Sequence, residues 1–542
     1  MFATFHFDMK LRTTAYLALF ALFFLQAKLY ATTYFVNANA SGNGTGTSWT
    51  NAFTDLQSAL SIVVLGDEVW VASGQYKPTS TTDRTVAFML RDGVNMYGSF
   101  AGTETSISER NIANNPTTLN GDIGQLGLNT DNSYNVVSGN SLTTNITLDG
   151  FRIMNGYSSS SNYGGGLKIT NNLTGHLLIK NCYFYSNYAV NYGGALYTAA
   201  ANVSVENCEF VNNTTSSSGN GGAICNGNNN GGYSTILVYN SKFKNNISRI
   251  GAVFYNSVRL QKLYFDRCLF TNNSASISVI NIDDCMDGKI VNSAIVGNSV
   301  NDFSSNVLYV NSPSSTVQSF KLINATIAHN FNTYANGISD EILRLEESYY
   351  KVYNSIIYGN TSYAGRQINI HPSISNSIIQ GGFVNGTNII NADPEFVNPN
   401  SAASNSFDAS SFNYTLSANS SAIDMGVDTL LAVSDSLDLT GGARIQSLAN
   451  DLGCYESNFI NITSVQDRQE ISSSFYFDFC TQQITINELD RMMGKGYSVY
   501  DLTGRSVKQG NVLQRNIPMN LTGGYYVFQL EHVKPLKFFV KE

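Results

Sequence analysis

The chain has 542 residues, 13% of them charged, and a formal net charge of −8. It carries no basic stripe, which excludes nucleic acid as the expected partner. So small a charged fraction leaves few side chains for acid–base work. No segment beyond the first 31 residues reaches membrane-spanning length without polar interruption.

Residues 1–31 read as a secretory signal. Lys10 and Arg12 supply positive charge, Ala15–Leu25 the apolar run, and Ala31 the cleavage position, with Ala27 a second candidate and Met9 an alternative start. An uncleaved anchor is the competing reading, weakened by the shortness of the run. Cleavage takes basic residues from 31 to 28 and acidic ones from 39 to 38, so the mature charge is near −10. Residues 32–125 hold a cap and the first coils. Within them Phe53–Val63 spaces apolar residues as a helix would, which suits a lid on the open end of a stack.

Residues 126–456 carry a recurring phrase. Asn181-Cys182-Tyr183-Phe184 closes at Asn187, Asn207-Cys208-Glu209-Phe210 at Asn213, and Asn240-Ser241-Lys242-Phe243 at Asn246. Arg267-Cys268-Leu269-Phe270 closes at Asn273, Asn292-Ser293-Ala294-Ile295 at Asn298, Asn324-Ala325-Thr326-Ile327 at Asn330, and Asn354-Ser355-Ile356-Ile357 at Asn360. Asn376-Ser377-Ile378-Ile379 is a degraded copy, and Gly150-Phe151-Arg152-Ile153 an earlier relative. The repeat takes roughly 28 residues, too few for a well-formed helix pair. Its composition favours strands and turns. The small residue and the Phe/Ile stand two apart, so in a strand both face one way, predicting an inner small column and an inner large one. Asn tolerates left-handed backbone, and stacked amides can bond one another, so Asn181, Asn207, Asn240, Asn292, Asn324 and Asn354 are the expected ladder.

A second phrase lies between these: Gly164-Gly165-Gly166-Leu167, Gly193-Gly194-Ala195-Leu196, Gly221-Gly222-Ala223-Ile224 and Gly251-Ala252-Val253. Glycine permits a tight corner and close backbone approach. Two or three short strands per coil, stacked about 4.8 Å apart, make a parallel β-helix. The crossover preference of parallel strands makes it right-handed. Tyr34–Glu456 then accommodates ~14–17 coils, or roughly 65–80 Å of stack. These phrases resemble the right-handed parallel β-helix of pectate-lyase-like proteins and, more closely, the Gly-Gly-Ala-aliphatic and Phe-x-x-Asn repeats of chlamydial polymorphic outer-membrane proteins. Gly66–Tyr76, Gly93–Phe100 and Asn115–Ile123 resemble the openings of bacterial surface β-helix proteins, and Asp393–Phe396, Ala422–Gly426 and Asp451–Glu456 their closing phrases. The resemblance covers about four fifths of the chain and speaks to fold, not activity.

After a linker at 457–470, residues 471–542 change pattern. Seven alternating strands are expected: Phe475–Phe479, Gln483–Asn487, Tyr497–Asp501, Arg505–Gln509, Arg515–Met519, Tyr525–Glu531 and Leu536–Val540. They suggest a small immunoglobulin-like β-sandwich. Tyr497–Arg505, Leu521–Val527 and Lys537–Lys541 resemble the type A sorting domain of the type IX secretion system, although its usual Tyr-Pro-Asn-Pro opening is replaced by Phe475–Phe479. The resemblance implies a Bacteroidota-type bacterium, secretion machinery as partner, and display on or release from the outer membrane.

The fold class expected is therefore all-β: a single-stranded right-handed parallel β-helix with an N-terminal capping helix, followed by the sandwich. Chemistry is harder to find. Asp283, Asp284 and Asp287 offer oxygens for calcium in a turn, but equally form a solvated loop, since a full calcium-loop signature is missing. Arg249, Arg259, Lys262 and Arg267 lie on nearby coils. His329 and His371 fall at turn and loop positions, and no catalytic grouping stands out. Cys182, Cys208 and Cys268 share the small column with Ser and Ala and read as packing thiols. Tyr157, Tyr163, Tyr183, Tyr188 and Tyr192 crowd a few coils and are the candidate ligand contacts, either stacking on sugar rings or packing on neighbouring loops. The expected function is a surface-displayed, adhesin-like or glycan-binding protein without catalysis or resident cofactor. The alternative is a polysaccharide lyase or hydrolase acting on an acidic polysaccharide.

Overall fold

The computed structural model describes residues 31–542 apart from 228–232, 257, 303, 312–318, 335–340, 363–364, 370, 400–410, 429–435, 448, 460–474, 479–480, 488, 531–534 and 541–542. The signal reading thus lies outside the described residues except for Ala31, and so does most of the 457–470 linker. From Thr33 to Ile390 the chain is a parallel β-solenoid: every pairing among its described strands is parallel, each strand bonding one from the next coil.

Three long ladders run along the stack. The first begins at Thr33–Val36, passes through Glu68–Ala72, Asn95–Phe100 and Ile146–Asp149, and ends at Thr387–Ile390. The second carries the repeated phrase, from Gly74–Tyr76 through Tyr183–Tyr185 to Ile356–Tyr358 and the end of Ser373–Ile379. The third follows the Gly corners, from Phe88–Met89 through Leu196 and Ile224 to Arg366–Ile368. These ladders hold ten to thirteen rungs among the described residues, fewer than the ~14–17 coils expected. The difference lies after Ile390. Among the described residues the closing phrases add no parallel rungs; Phe396–Asn398 pairs antiparallel with Asn413–Leu416, and the closing segment packs on the side of the stack.

The inner columns form as the spacing requires. Phe184, Phe210, Phe243 and Phe270 stack with ring centroids 4.7, 4.8 and 5.2 Å apart and are fully buried. Ile295, Ile327, Ile357 and Ile379 continue the column. Each buried aromatic contributes about 2–3 kcal/mol of transfer free energy, so the column is a large share of the core. The small column does more than fit. Backbone N–H groups of Cys208, Cys268, Ala325 and Ser355 donate to the side-chain oxygens of Ser241, Ser293, Ser355 and Ser377 one rung on, at 3.0–3.1 Å. The six described cysteines are all buried free thiols, Cys182, Cys208 and Cys268 among them.

Both Asn positions of the phrase matter, in different ways. The opening residues Asn181, Asn207, Asn240, Asn292, Asn324 and Asn354 adopt φ of 44–53°, and so does Arg267 in their column at 52°. Their amides bond only in part: Asn207 to Asn181, Asn240 to Asn207 and Asn324 to Asn292. The closing residues form the continuous ladder. Asn187, Asn213, Asn246, Asn273, Asn298 and Asn330 each donate from Nδ2 to the Oδ1 of the next, at 2.8–3.1 Å, ending on Asn360. The residue before each is left-handed, from Ser186 (φ 52°) to Gly359 (φ 70°). At the Gly corners Gly193 has φ 69°, and a Cβ on Gly194 would lie 2.3 Å from Gly222 O, so both conformation and space demand glycine.

Phe53–Val63 yields a shorter helix than expected, Leu56–Leu60, capped by Asp55 and burying Leu56, Ala59 and Leu60 in the main core. In the C-terminal region all seven expected strands are present, with ends shifted by a residue or two. They form two antiparallel sheets, three-stranded and four-stranded, around one core that includes Phe475, Ile484, Val499 and Phe528.

Candidate functional site

Along the second ladder, residues one before the Phe/Ile column point outward. In register they are Arg152, Tyr183, Glu209 and Lys242, then Leu269, Ala294, Thr326, Ile356 and Ile378. The row switches from polar to apolar halfway along the stack. The apolar half is covered: Ala294, Ile356 and Ile378 pack with Phe396, Tyr414, Leu416, Ile423, Leu452 and Cys454 of the closing segment. Cys454 N donates to Thr326 Oγ1 at 3.1 Å and Gly453 N to Asn354 O at 2.9 Å, fixing that cover. The polar half stays open, with Arg152 and Lys242 exposed and Tyr183 and Glu209 half-buried.

A cleft of ≈ 470 Å³ lies at this open half. Its floor is the Asn corner, Gly150, Asn181 and Asn207, with Arg152, Tyr183 and Glu209 along one side. Ile112, Ala113 and Pro116, from the loop before Thr117–Asn120, make the opposite wall. Arg110 anchors this wall. Its Nη2 meets Asp149 Oδ2 at 2.7 Å, its Nη1 donates to Gly98 O at 3.1 Å, and the pair is nearly buried at 7% and 8% side-chain exposure. The guanidinium also sits over the Tyr97 and Phe100 rings, 5.3 and 5.5 Å from their centroids. Asn181 Nδ2 donates to Asp149 Oδ1 at 2.8 Å, so the ion pair holds the floor and the wall together.

Electrostatically the cleft carries one charge of each sign, Arg152 and Glu209, two rungs apart with neutral Tyr183 between them. Glu209 and Lys242 pair at 3.0 Å on the surface, where such a pair contributes little. Burial, and then the nearby Glu209 carboxylate, push the Tyr183 phenol above its ordinary value. The phenol is therefore protonated at neutral pH, so it offers a hydroxyl donor and an aromatic face rather than a base.

The five candidate tyrosines do not share one site. Tyr157 stacks on Tyr188 at 4.4 Å; Tyr163 packs on Tyr192 at 5.2 Å and on buried Tyr197 at 4.9 Å. Only Tyr183 of the five lines the cleft, beside Tyr185 at 5.7 Å. The three aspartates also diverge. Asp284, at φ 51°, pairs with Arg259 at 3.1 Å; Asp287 lies exposed opposite Lys262 and Ser319; the carboxyl of half-buried Asp283 is pushed up to about 6 by burial. They do not form a convergent calcium cradle, and among the described residues no three His, Cys, Asp or Glu side chains gather as a metal centre. His329 is the left-handed turn residue expected, and its half-buried ring packs on Tyr414. His176 meets Ser204 Oγ at 2.9 Å and His371 faces Glu346. Asp393 accepts from Glu395 N in an exposed turn. Reading the sequence missed Arg152, Glu209 and the Ile112–Pro116 wall. The outward row was the available signal: four polar residues, then apolar ones broken only by Thr326.

No protein-family model matches the chain, and no curated protein matches its sequence. Among solved structures, pectate lyase Pel9A is 12% identical, with 79% of this chain and 96% of that chain covered and a TM-score of 0.44. A rhamnogalacturonan lyase is 13% identical, covering 64% and 87%, with a TM-score of 0.34.

Proposed function

We propose that this chain is a non-catalytic, glycan-binding β-helix protein of the bacterial cell surface, and that the cleft over Asn181 and Asn207 receives the sugar. The carrying observation is the half-covered outward row. The closing segment seals the apolar rungs and leaves Arg152, Tyr183, Glu209 and Lys242 open beside the cleft. That set suits a polyhydroxyl ligand: amides and a carboxylate for hydroxyls, a tyrosine face for the ring, and Arg152 for an acidic substituent. In the same reading the stack is right-handed, the Leu56–Leu60 helix lids its first coil, and the C-terminal sheets are an immunoglobulin-like sorting module. That module takes the signal-cleaved chain through the outer membrane by type IX secretion.

A glycan array with purified protein tests the binding. Tyr183→Ala and Arg152→Ala should each weaken binding by about tenfold or more, as loss of a stacking or charged contact does. Release of unsaturated uronate, read by absorbance, would instead establish the lyase alternative. Deleting residues 471–542 should leave the protein inside the outer membrane; undiminished surface display would remove the sorting role.

A further inference from the structure

The loop between Thr117–Asn120 and Val137–Asn140 concentrates buried oxygens that lack hydrogen-bond partners: Asp122 Oδ1, Asp131 Oδ1, Asn132 Oδ1 and Ser133 Oγ. Asp122 is 6% exposed, Asn132 2% and Ser133 0%. Buried polar atoms are almost always satisfied, and an unpaired buried carboxylate oxygen is strongly unfavourable. Four such atoms in one short loop, two of them carboxylate oxygens, point to a bound cation.

The loop is shaped around them. Ser133 N donates to Gly121 O at 2.8 Å and closes its base. From one leg, Asp122 Oδ2 accepts Gly127 N at 3.1 Å; from the other, Asp131 Oδ2 accepts Gln125 N at 2.7 Å. Both carboxylates therefore turn into the loop they close, each with its second oxygen unused. A Cβ on Gly124 would lie 2.3 Å from Asp131 Oδ2, so the carboxylate sits flush against backbone. Asn132 Nδ2 donates to Asn155 O at 2.8 Å, and Asn155 Nδ2 to Asn120 Oδ1 at 3.0 Å, which fixes the Asn132 amide and leaves its oxygen as the free end. Arg84, the cation that reaches this loop, donates to the carbonyls of Asn132 and Tyr157 and stacks over Tyr134 at 4.2 Å.

We propose that this loop binds calcium through Asp122, Asp131 and Asn132, with Ser133 beside them. The donors are hard oxygens with neither sulfur nor imidazole, and their irregular arrangement suits calcium better than magnesium, which demands a near-ideal octahedron. Two carboxylates on a surface loop place the affinity at about 10⁻⁴–10⁻³ M, the range of extracellular modules. The site is separate from the cleft and from Asp283, Asp284 and Asp287.

Limited proteolysis of the wild-type protein tests it without any substitution, because the tip at 125–130 is exposed and cuttable. Calcium at about 10 mM should slow cleavage mapped to this tip by about tenfold or more, the effect of saturating a site that only the closed loop presents. Terbium luminescence should titrate to one site that is lost in Asp122→Asn and in Asp131→Asn and kept in Asp284→Asn. Cleavage at the tip that ignores calcium overturns the proposal. So does terbium binding that survives in folded Asp131→Asn or disappears in Asp284→Asn.

Discussion

Asn246 shows how much one side chain does in a stack. Its Oδ1 accepts from both Asn213 N and Asn213 Nδ2, and its Nδ2 donates to Phe210 O and to Asn273 Oδ1. Asn246→Ala strands several buried groups at 1–3 kcal/mol each, so thermal unfolding should show a loss of about 3 kcal/mol or more. Asn245, its left-handed neighbour at φ 57°, gives a contrasting result: Asn245→Gly should leave the melting temperature unchanged, whereas Asn245→Ala costs about 1 kcal/mol from backbone strain alone. The repeated phrase made both positions visible in the sequence. It did not rank them, because the roles separate only in space: of the opening residues Asn181, Asn207 and Asn240 reach the surface and Asn292, Asn324 and Asn354 are buried, whereas every closing Asn is buried between coils. The serine oxygens of the small column were equally hidden. Spacing shows that a residue is small and inward, not that its hydroxyl meets a backbone N–H one rung away.

The closing segment is the element whose behaviour should change with pH. It carries Asp424, Asp438, Asp451 and Glu456 around Arg444, and burial pushes Asp451 up to about 6 and Glu456 up to about 8. For Glu456 burial outweighs the Arg444 guanidinium 3.9 Å away. A carboxyl whose folded-state value is raised holds its proton better folded than unfolded, so its contribution is present at acid pH and fades as pH rises through the folded value. Once the intrinsic base-catalysed rise in exchange rate is divided out, protection over 436–456 should therefore fall between about pH 4 and 8, while protection of the Asn ladder holds. Glu456→Gln should flatten much of that dependence; an unchanged profile would mean these carboxyls do not govern the segment. The closing phrases of this element were legible in the sequence, but not its place. An apolar outward residue such as Ile356 is the same letter whether solvent or a distant strap covers it, and the strap comes some 40–100 residues later in the chain.

At the level of the whole molecule, each coil contacts mainly its neighbours, so coils should be removable units. Excising residues 247–273 joins Asn246 to Ser274, two positions already bonded across the stack at 2.9 Å. The shortened protein should keep its β-sheet circular dichroism and cooperative melting; aggregation or loss of the sheet signal would show that the coils are not interchangeable. The solenoid was legible from the period alone. The cleft was not, because its wall comes from Ile112–Pro116, its floor from Gly150 and Asn181, and its last polar group from Glu209. Only Tyr183 could be singled out beforehand, since convergence across coils is a property of the winding and not of any local pattern.

The buried amide row also has a direction. From Asn187 to Asn360 every Nδ2 points the same way along the axis, and at its far end Gln367 Oε1 receives the last hydrogen from Asn360 at 2.8 Å. A file of like-oriented dipoles reinforces itself, so an interruption near its middle weakens it more than one at either tip. It also sets a polarity that every coil must match: an Asn amide joins the row only with its Oδ1 toward the preceding Nδ2 and its own Nδ2 toward the next coil.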